Sequence, residues 1–156
     1  MNGMPDPDSF RIAQFAKELV AIRLQGVDDP CAVAAALVRE TARVALKSRP
    51  READCVIADA CCGALQALLL CGQDLARAAT LMLGAVQELA APLKADPALL
   101  SEYALEGFAR NRRLMTQDQV IDILETLESR FKGAGAAFAK ALAGQPDPSR
   151  RLSASL

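Results

Sequence analysis

Residues 55–71 read CVIADACCGALQALLLC, and within this stretch only Asp59 and Gln66 carry strongly polar side chains. When successive positions of a helix are rotated by about 100°, the apolar residues of the stretch point in nearly every direction. A helix that is apolar all round is stable only where other helices cover it. We therefore expect these residues to form the central helix of the molecule, enclosed on all sides by its neighbours.

A membrane span is a weaker interpretation of the same stretch. Asp59 lies near its middle, where an ionised side chain would cost about 2.5–3.5 kcal/mol in a bilayer. Acidic residues flank the stretch, and residues 1–10 lack the basic and apolar segments of a secretory signal. We expect a cytoplasmic protein without a membrane segment.

The composition favours a single all-α domain. The 156 residues suit one domain, and 52% of them are hydrophobic, mostly alanine and leucine, whereas only 4% are aromatic. Small side chains and a scarcity of β-branched residues favour close helix packing over sheet formation. The 18 basic and 19 acidic residues nearly cancel, so the chain has no overall field that would attract nucleic acid or an anionic membrane.

Helix signals divide the chain into a flexible leader at 1–8, a helical domain at 9–143 and a disordered tail at 144–156. Capping residues, prolines and glycines place about six helices in the domain. Their approximate bounds are 9–25, 30–47, 51–71, 74–92, 97–111 and 117–141. The apolar side of the first helix consists of Ile12, Phe15, Ala16, Leu19 and Ile22.

Three helix starts recur at a fixed interval. Pro30, Asp74 and Asp118 each lie in the first turn of a helix and are 44 residues apart. This interval falls within the roughly 40–47 residues of some helical repeat units. Because the side chains of the three units align poorly, we favour a single-domain irregular bundle, with three αα-hairpins in solenoid-like stacking as the alternative.

The sixth helix carries an apolar seam with almost heptad spacing. Its members follow at alternating steps of four and three: Val120, Leu124, Leu127, Phe131, Ala134, Phe138 and Ala141. Six apolar or amphipathic helices supply more apolar surface than one small core easily covers. We therefore predict a non-enzymatic protein–protein interaction module that self-associates, as a homodimer, or binds another protein. The predicted contact residues, for which the intramolecular core is the alternative, are Val120, Leu124, Leu127, Phe131 and Phe138.

The polar residues of the central helix form a narrow stripe on one of its sides. The stripe consists of Cys55, Asp59, Cys62 and Gln66. Because a buried carboxylate needs a partner, the structural interpretation pairs it with an arginine such as Arg39, Arg43 or Arg77. In the functional alternative, Asp59 and Gln66 hold a small polar ligand in a pocket between helices.

The five cysteines give little sign of a metal or redox centre. Cys55 and Cys62 share a helix face but lie roughly 10 Å apart, beyond the reach of a disulfide or of one shared zinc ion. With no CxxC motif and no histidine in the chain, we expect no metal and no cofactor. Cys31 is the candidate reactive thiol, since it lies in the first turn of a helix, whose N-terminus lowers a thiol pKa. A thiol-redox site in the core thus stays an alternative.

The missing histidine also removes the commonest general base, and we expect no enzyme. Arg39, Arg43 and Lys47 form a basic stripe at intervals of four residues, which could lie along phosphates. The acidic Glu40 beside them and the shortage of aromatic residues weaken the nucleic-acid interpretation, which ranks last among the three.

Overall fold

The computed structural model describes residues 7–145, and this part of the chain is built from α-helices without a β-strand. The all-α class predicted from the sequence is confirmed. Short 3₁₀ turns at Pro50–Glu52 and Arg112–Leu114 connect some of the helices. The α-helices of the described residues are α1 (Pro7–Arg23), α2 (Pro30–Ser48), α3 (Ala53–Leu70), α4 (Leu75–Gln87), α5 (Ala90–Leu93), α6 (Pro97–Ala109), α7 (Gln117–Arg130) and α8 (Ala134–Ala143).

The predicted leader and tail lie mostly outside the described residues. α1 begins at Pro7, so the last two residues of the leader predicted at 1–8 are helical. At the other end, the backbone N–H groups of Gly144 and Gln145 donate to carbonyl oxygens in the last turn of α8. The rest of the predicted tail, 146–156, lies outside the described residues.

The helices form two layers. α1, α3 and α6 lie side by side in one layer, and α2, α4 and α7 lie side by side in the other. Neighbours within a layer make the most extensive contacts, whereas the two helices of each hairpin touch less. α8 packs against α6 and α7. The arrangement is bundle-like, as predicted from the sequence, and its first two αα-hairpins, α1–α2 and α3–α4, stack in two layers. α6 and α7 scarcely touch each other directly and are connected through α8.

α3 occupies the middle of its layer, as predicted for the central helix. It contacts α1 and α6 on either side, and α2 and α4 from the other layer. Its remaining side is open, because Cys55 is exposed and Cys62 and Gln66 are only half-buried. The expectation that neighbours enclose this helix on all sides is therefore wrong for one side, the one that carries the polar stripe.

By length and composition, one stretch of the described residues, Pro50–Leu70, could cross a membrane. In the folded chain, 61% of its most apolar window is buried against other helices. Helix packing within this domain therefore accounts for the apolar character of the stretch.

Short polar side chains cap the first turns of several helices, at positions where the sequence predicts helix starts. Asp29, Asp74 and Asp96 each accept a hydrogen bond from a backbone N–H group in the first turn of α2, α4 and α6. At the start of α7, Thr116 and Gln119 form a reciprocal capping box. Each cap satisfies N–H groups that the first helical turn leaves without an intrahelical partner.

Two glycines allow α3 to approach its layer neighbours closely. A Cβ atom at Gly63 of α3 would collide with the carbonyl oxygen of Ala13 in α1. A Cβ atom at Gly107 of α6 would collide with the carbonyl oxygen of Ala58 in α3. The three helices of this layer therefore touch backbone to backbone at these two crossings.

The close crossing at Gly63 determines which side of α1 is buried. Of the five residues that the sequence placed on the apolar side of this helix, only Ala16 is fully buried. Phe15 is 54% exposed and Ile22 is 68% exposed, while Ile12 and Leu19 are half-buried. Only small side chains fit where two backbones meet, so the large side chains of α1 lie beside the contact and remain partly open to solvent.

The sixth helix predicted from the sequence is in fact two helices. α7 ends at Arg130, after which Phe131 is extended and Gly133 has a φ of 88°, in the left-handed region that favours glycine. The Glu128 carboxylate accepts hydrogen bonds from the backbone N–H groups of Gly133 and Gly135, and so caps the start of α8. The prediction of one continuous near-heptad seam is therefore wrong.

Candidate functional site

Asp59 pairs with Arg110, and not with the arginines that the sequence suggested. Nη1 of Arg110 lies 2.7 Å from Oδ1 of Asp59, and this contact connects α3 to the residue that follows α6. The Asp59 side chain is 9% exposed, whereas that of Arg110 is 39% exposed. The pair therefore runs from the interior to the surface on the open side of α3.

The two residues after Arg110 form hydrogen bonds at the same junction, where the end of α6 meets α3 and α8. The side chain of Asn111 is buried and donates a hydrogen bond to the carbonyl oxygen of Cys62, at 3.1 Å. Arg112 donates to the carbonyl oxygen of Leu142 near the end of α8, at 3.0 Å. Three consecutive side chains thus attach the end of α6 to both α3 and α8.

A surface cavity of about 400 Å³ lies beside this junction. None of the described lining residues carries a carboxylate, so this part of the wall is cationic with a small apolar portion. Of the two ligand-binding residues predicted from the sequence, Gln66 lines the cavity, and Asp59 is connected to it only through Arg110. We call it the arginine cavity; its lining residues are Gln66, Ala109, Arg110, Arg112, Arg113, Leu114 and Gln145.

Burial works against a reactive thiol at Cys31. This side chain is buried, and its thiol donates to the carbonyl oxygen of Asp74 at 3.5 Å. Loss of hydration on burial raises the pKa of Cys31, and the nearby carboxylates of Asp29 and Asp74 raise it further. Desolvation and these two charges act against the lowering of the Cys31 pKa that the helix N-terminus was predicted to produce.

The other thiols are distributed along α3 and just beyond it. Burial raises the pKa of Cys61 and of Cys62, whereas Cys55 and Cys71 are exposed near the two ends of the helix. Among the described residues, no group of three or more histidine, cysteine, aspartate or glutamate side chains could hold a metal ion. The geometry of the cysteines therefore gives the thiol-redox alternative no support.

The basic stripe on α2 is largely neutralised by acidic neighbours. Arg39 forms an ion pair with Glu88 of α4, and Arg43 pairs with Glu40 within α2. Lys47 makes no ion pair with a described residue. Two of the three cations would have to exchange a carboxylate for a phosphate, which makes this surface a poor site for nucleic acid.

The five residues predicted for self-association face the core of the chain itself. Leu127 and Phe138 are fully buried. Val120, Leu124 and Phe131 are partly buried against the core, and Phe131 also borders a groove of about 520 Å³ between α2, α4 and the end of α7. Leu127 and Phe138 are thus not accessible to a partner, and the intramolecular alternative describes their position.

An apolar surface lies on the first hairpin, formed by four of the five residues that the sequence placed on the apolar side of α1. We call it the α1 stripe; it consists of Ile12, Phe15, Leu19 and Ile22. The hairpin packs its inner side on α3 and α4, and in the described part of the chain no further hairpin covers its outer side. The steps of three, four and three residues within the stripe are the signal for it in the sequence. That signal predicts an apolar side of α1 but does not indicate that this side stays exposed.

No protein-family model matches the chain, and neither a curated protein nor a solved structure matches it. Function has to be inferred from the geometry of the chain itself.

Proposed function

We propose that this protein is a non-enzymatic helical interaction module that self-associates through the outer side of its first hairpin. The observation that carries the proposal is the α1 stripe, in which Phe15 and Ile22 are more than half exposed. The class of function is the one predicted from the sequence. The proposed contact surface differs from the predicted one: it is the α1 stripe, and not the seam of the predicted sixth helix.

The position of α1 at the outer edge of its layer, within the described residues, supports this proposal. In layered helical hairpins each unit buries an apolar side against the next, and an outermost unit needs a polar outer side to stay soluble. Here the outermost helix of the described residues presents large apolar side chains instead. A second copy of the chain, related by a two-fold axis, would cover the same surface in both molecules.

The spacing of the α1 stripe suits pairing with α1 of a second copy. Steps of three, four and three residues are those of a two-stranded coiled coil. Glu18 and Arg23 are exposed on opposite edges of the stripe, so a parallel pairing would place unlike charges next to each other. Because α1 is only about 25 Å long, the interface is small, and we expect a dimer that dissociates at micromolar concentrations.

Sedimentation velocity over a wide range of concentrations tests the proposal. The wild-type chain should change from monomer to dimer as its concentration rises, and the double variant Phe15→Glu, Ile22→Glu should stay monomeric. Ile121→Glu is the matched control, because it places the same charge at an exposed apolar residue of α7 outside the stripe. This control should dimerise like the wild type.

Circular dichroism checks that each variant keeps its helical content, as expected for substitutions at exposed positions. A wild-type chain that stays monomeric at every concentration would refute the proposal. Equal dimerisation of the double variant and the control would do the same.

A further inference from the structure

We propose that the arginine cavity binds a small molecule that carries a phosphate monoester or pyrophosphate group. The site lies on the open side of α3, between the ends of α6 and α8, and does not include the α1 stripe. The inference is therefore independent of self-association. It gives a chemical class to the small polar ligand that the sequence allowed beside Gln66.

The first argument is the balance of charge in the cavity. Three guanidinium groups line it, and the part of the lining that the structure describes contains no carboxylate. Asp59 balances Arg110, and the carbonyl oxygen of Leu142 gives Arg112 only a partial negative charge. Arg113 makes no ion pair or hydrogen bond with any described residue. Outside the lining, the Glu106 carboxylate accepts a hydrogen bond from Gln145 at 3.1 Å and adds one negative charge nearby. The described residues around the cavity thus keep an excess of positive charge, which an anion would neutralise.

The second argument is that two of the three arginines are already held in place. The bond to Asp59 fixes Arg110, and the bond to Leu142 fixes Arg112, while the buried Asn111 between them anchors the backbone of the turn. Side chains that are ordered before binding lose little conformational entropy when a ligand arrives. Each guanidinium retains further N–H donors in the planar arrangement that matches phosphate oxygens.

The third argument is the size and composition of the cavity. A volume of about 400 Å³ lies within the usual range for small-molecule sites. Leu114 is 49% exposed and, with Ala109, provides apolar surface beside the arginines. The amide of Gln66 adds a neutral donor and acceptor. The lining thus fits a phosphate group attached to a less polar part, and a phosphate monoester has the required charge near neutral pH.

Isothermal titration calorimetry at constant ionic strength tests this site, with inorganic pyrophosphate and adenosine 5′-monophosphate as probes. We expect saturable binding of at least one probe, with one site per chain. Arg113→Gln should weaken that binding about tenfold, the loss expected for one charge-assisted hydrogen bond. Arg113→Lys should fall between the wild type and Arg113→Gln, because it keeps the charge and loses the planar fork.

Arg51→Gln is the matched control, since it removes the same charge from an exposed residue that does not line the cavity. It should bind the probe like the wild type. Thermal unfolding of Arg113→Gln should match that of the wild type, because no described residue is bonded to the Arg113 side chain.

Failure of both probes to bind would overturn the proposal, as would equal affinities of Arg113→Gln and Arg51→Gln. A duplex DNA is the third titrant. Salt-sensitive binding of the duplex without saturable binding of either small probe would show that the arginines contact nucleic acid, and this outcome would also overturn the proposal.

Discussion

Exposure divides the cysteines into groups that should differ in reactivity. Cys55 and Cys71 are exposed, whereas Cys31 and Cys61 are buried and have raised pKa values. Since the thiolate is the nucleophile, burial slows alkylation both by hiding the sulfur and by keeping it protonated. We expect iodoacetamide to modify Cys55 and Cys71 in the native protein, and Cys31 and Cys61 only after unfolding. Peptide mass spectrometry measures this order, and rapid native labelling of Cys61 would contradict its position in the core.

A single carboxylate makes the contact between α2 and α4 sensitive to pH. Asp29, the N-cap of α2, accepts a hydrogen bond from Arg77 of α4 at 2.6 Å. This bond, followed by the one from the backbone N–H of Ala32, lowers the pKa of Asp29 below its usual value of 3.8. A carboxyl group with a lowered folded-state pKa stabilises the fold above its unfolded-state pKa. That contribution is lost as the pH falls through the folded-state pKa.

We therefore expect Asp29→Asn, which keeps an oxygen at the N-cap, to lower the melting temperature at neutral pH. The difference from the wild type should shrink as the pH falls from the usual value of 3.8 towards the lowered folded-state pKa, where the carboxyl group of the folded wild type becomes protonated. Thermal unfolding followed by circular dichroism at a series of pH values measures this difference. A difference that stays constant across the series would show that the charge of Asp29 is not responsible.

The partner of Asp59 shows what a sequence can say about one residue. A carboxylate on an apolar helix requires a cation or other donors, and this need could be predicted from residues 55–71 alone. The identity of the partner could not, because Arg110 is 51 positions away and meets Asp59 only through the packing of α6 on α3. The same packing forms the arginine cavity, which no local pattern in the sequence predicts.

At the scale of helices, the close crossings of α3 depend on two glycines. We expect Gly63→Ala and Gly107→Ala each to lower the free energy of unfolding by about 1–3 kcal/mol, because the added methyl group overpacks a backbone contact. Urea unfolding at equilibrium measures the change.

Gly84→Ala is the control for these variants, since it adds the same methyl group inside α4. Its nearest non-local atom would be Cζ of Phe131, at 3.9 Å. With space for the methyl group, we expect this variant to gain about 0.5–1 kcal/mol from the higher helix propensity of alanine. If all three variants were stabilised alike, the crossings would not be as close as described.

Helix starts were more predictable than helix continuity. Asp29, Asp74 and Thr116 cap helices as their local sequence suggests, because a cap needs only a short polar side chain and the next few N–H groups. The break between α7 and α8, at Gly133, was missed. The apolar spacing continues across the break, and the carboxylate of Glu128 that caps α8 acts through tertiary geometry, which periodicity does not report.

For the whole molecule, the recurring helix starts were the most informative signal. They mark α2, α4 and α7, the three helices of one layer of the predicted bundle. Side chains aligned poorly between units because each hairpin has different neighbours, and the first has none on its outer side in the described part of the chain. For the same reason, the exposed large residues of α1 could not be separated from its buried small ones by hydrophobicity alone.

The central position of α3 has a consequence for synthesis of the chain. Translation proceeds from the N-terminus, so α3 leaves the ribosome before α6, one of the two neighbours that flank it in its layer, has been made. At roughly 5–20 residues per second, the nascent chain carries this apolar helix incompletely covered for several seconds. During that interval a chaperone or the membrane-insertion machinery can compete for it, and the competition ends only when α6 emerges and docks.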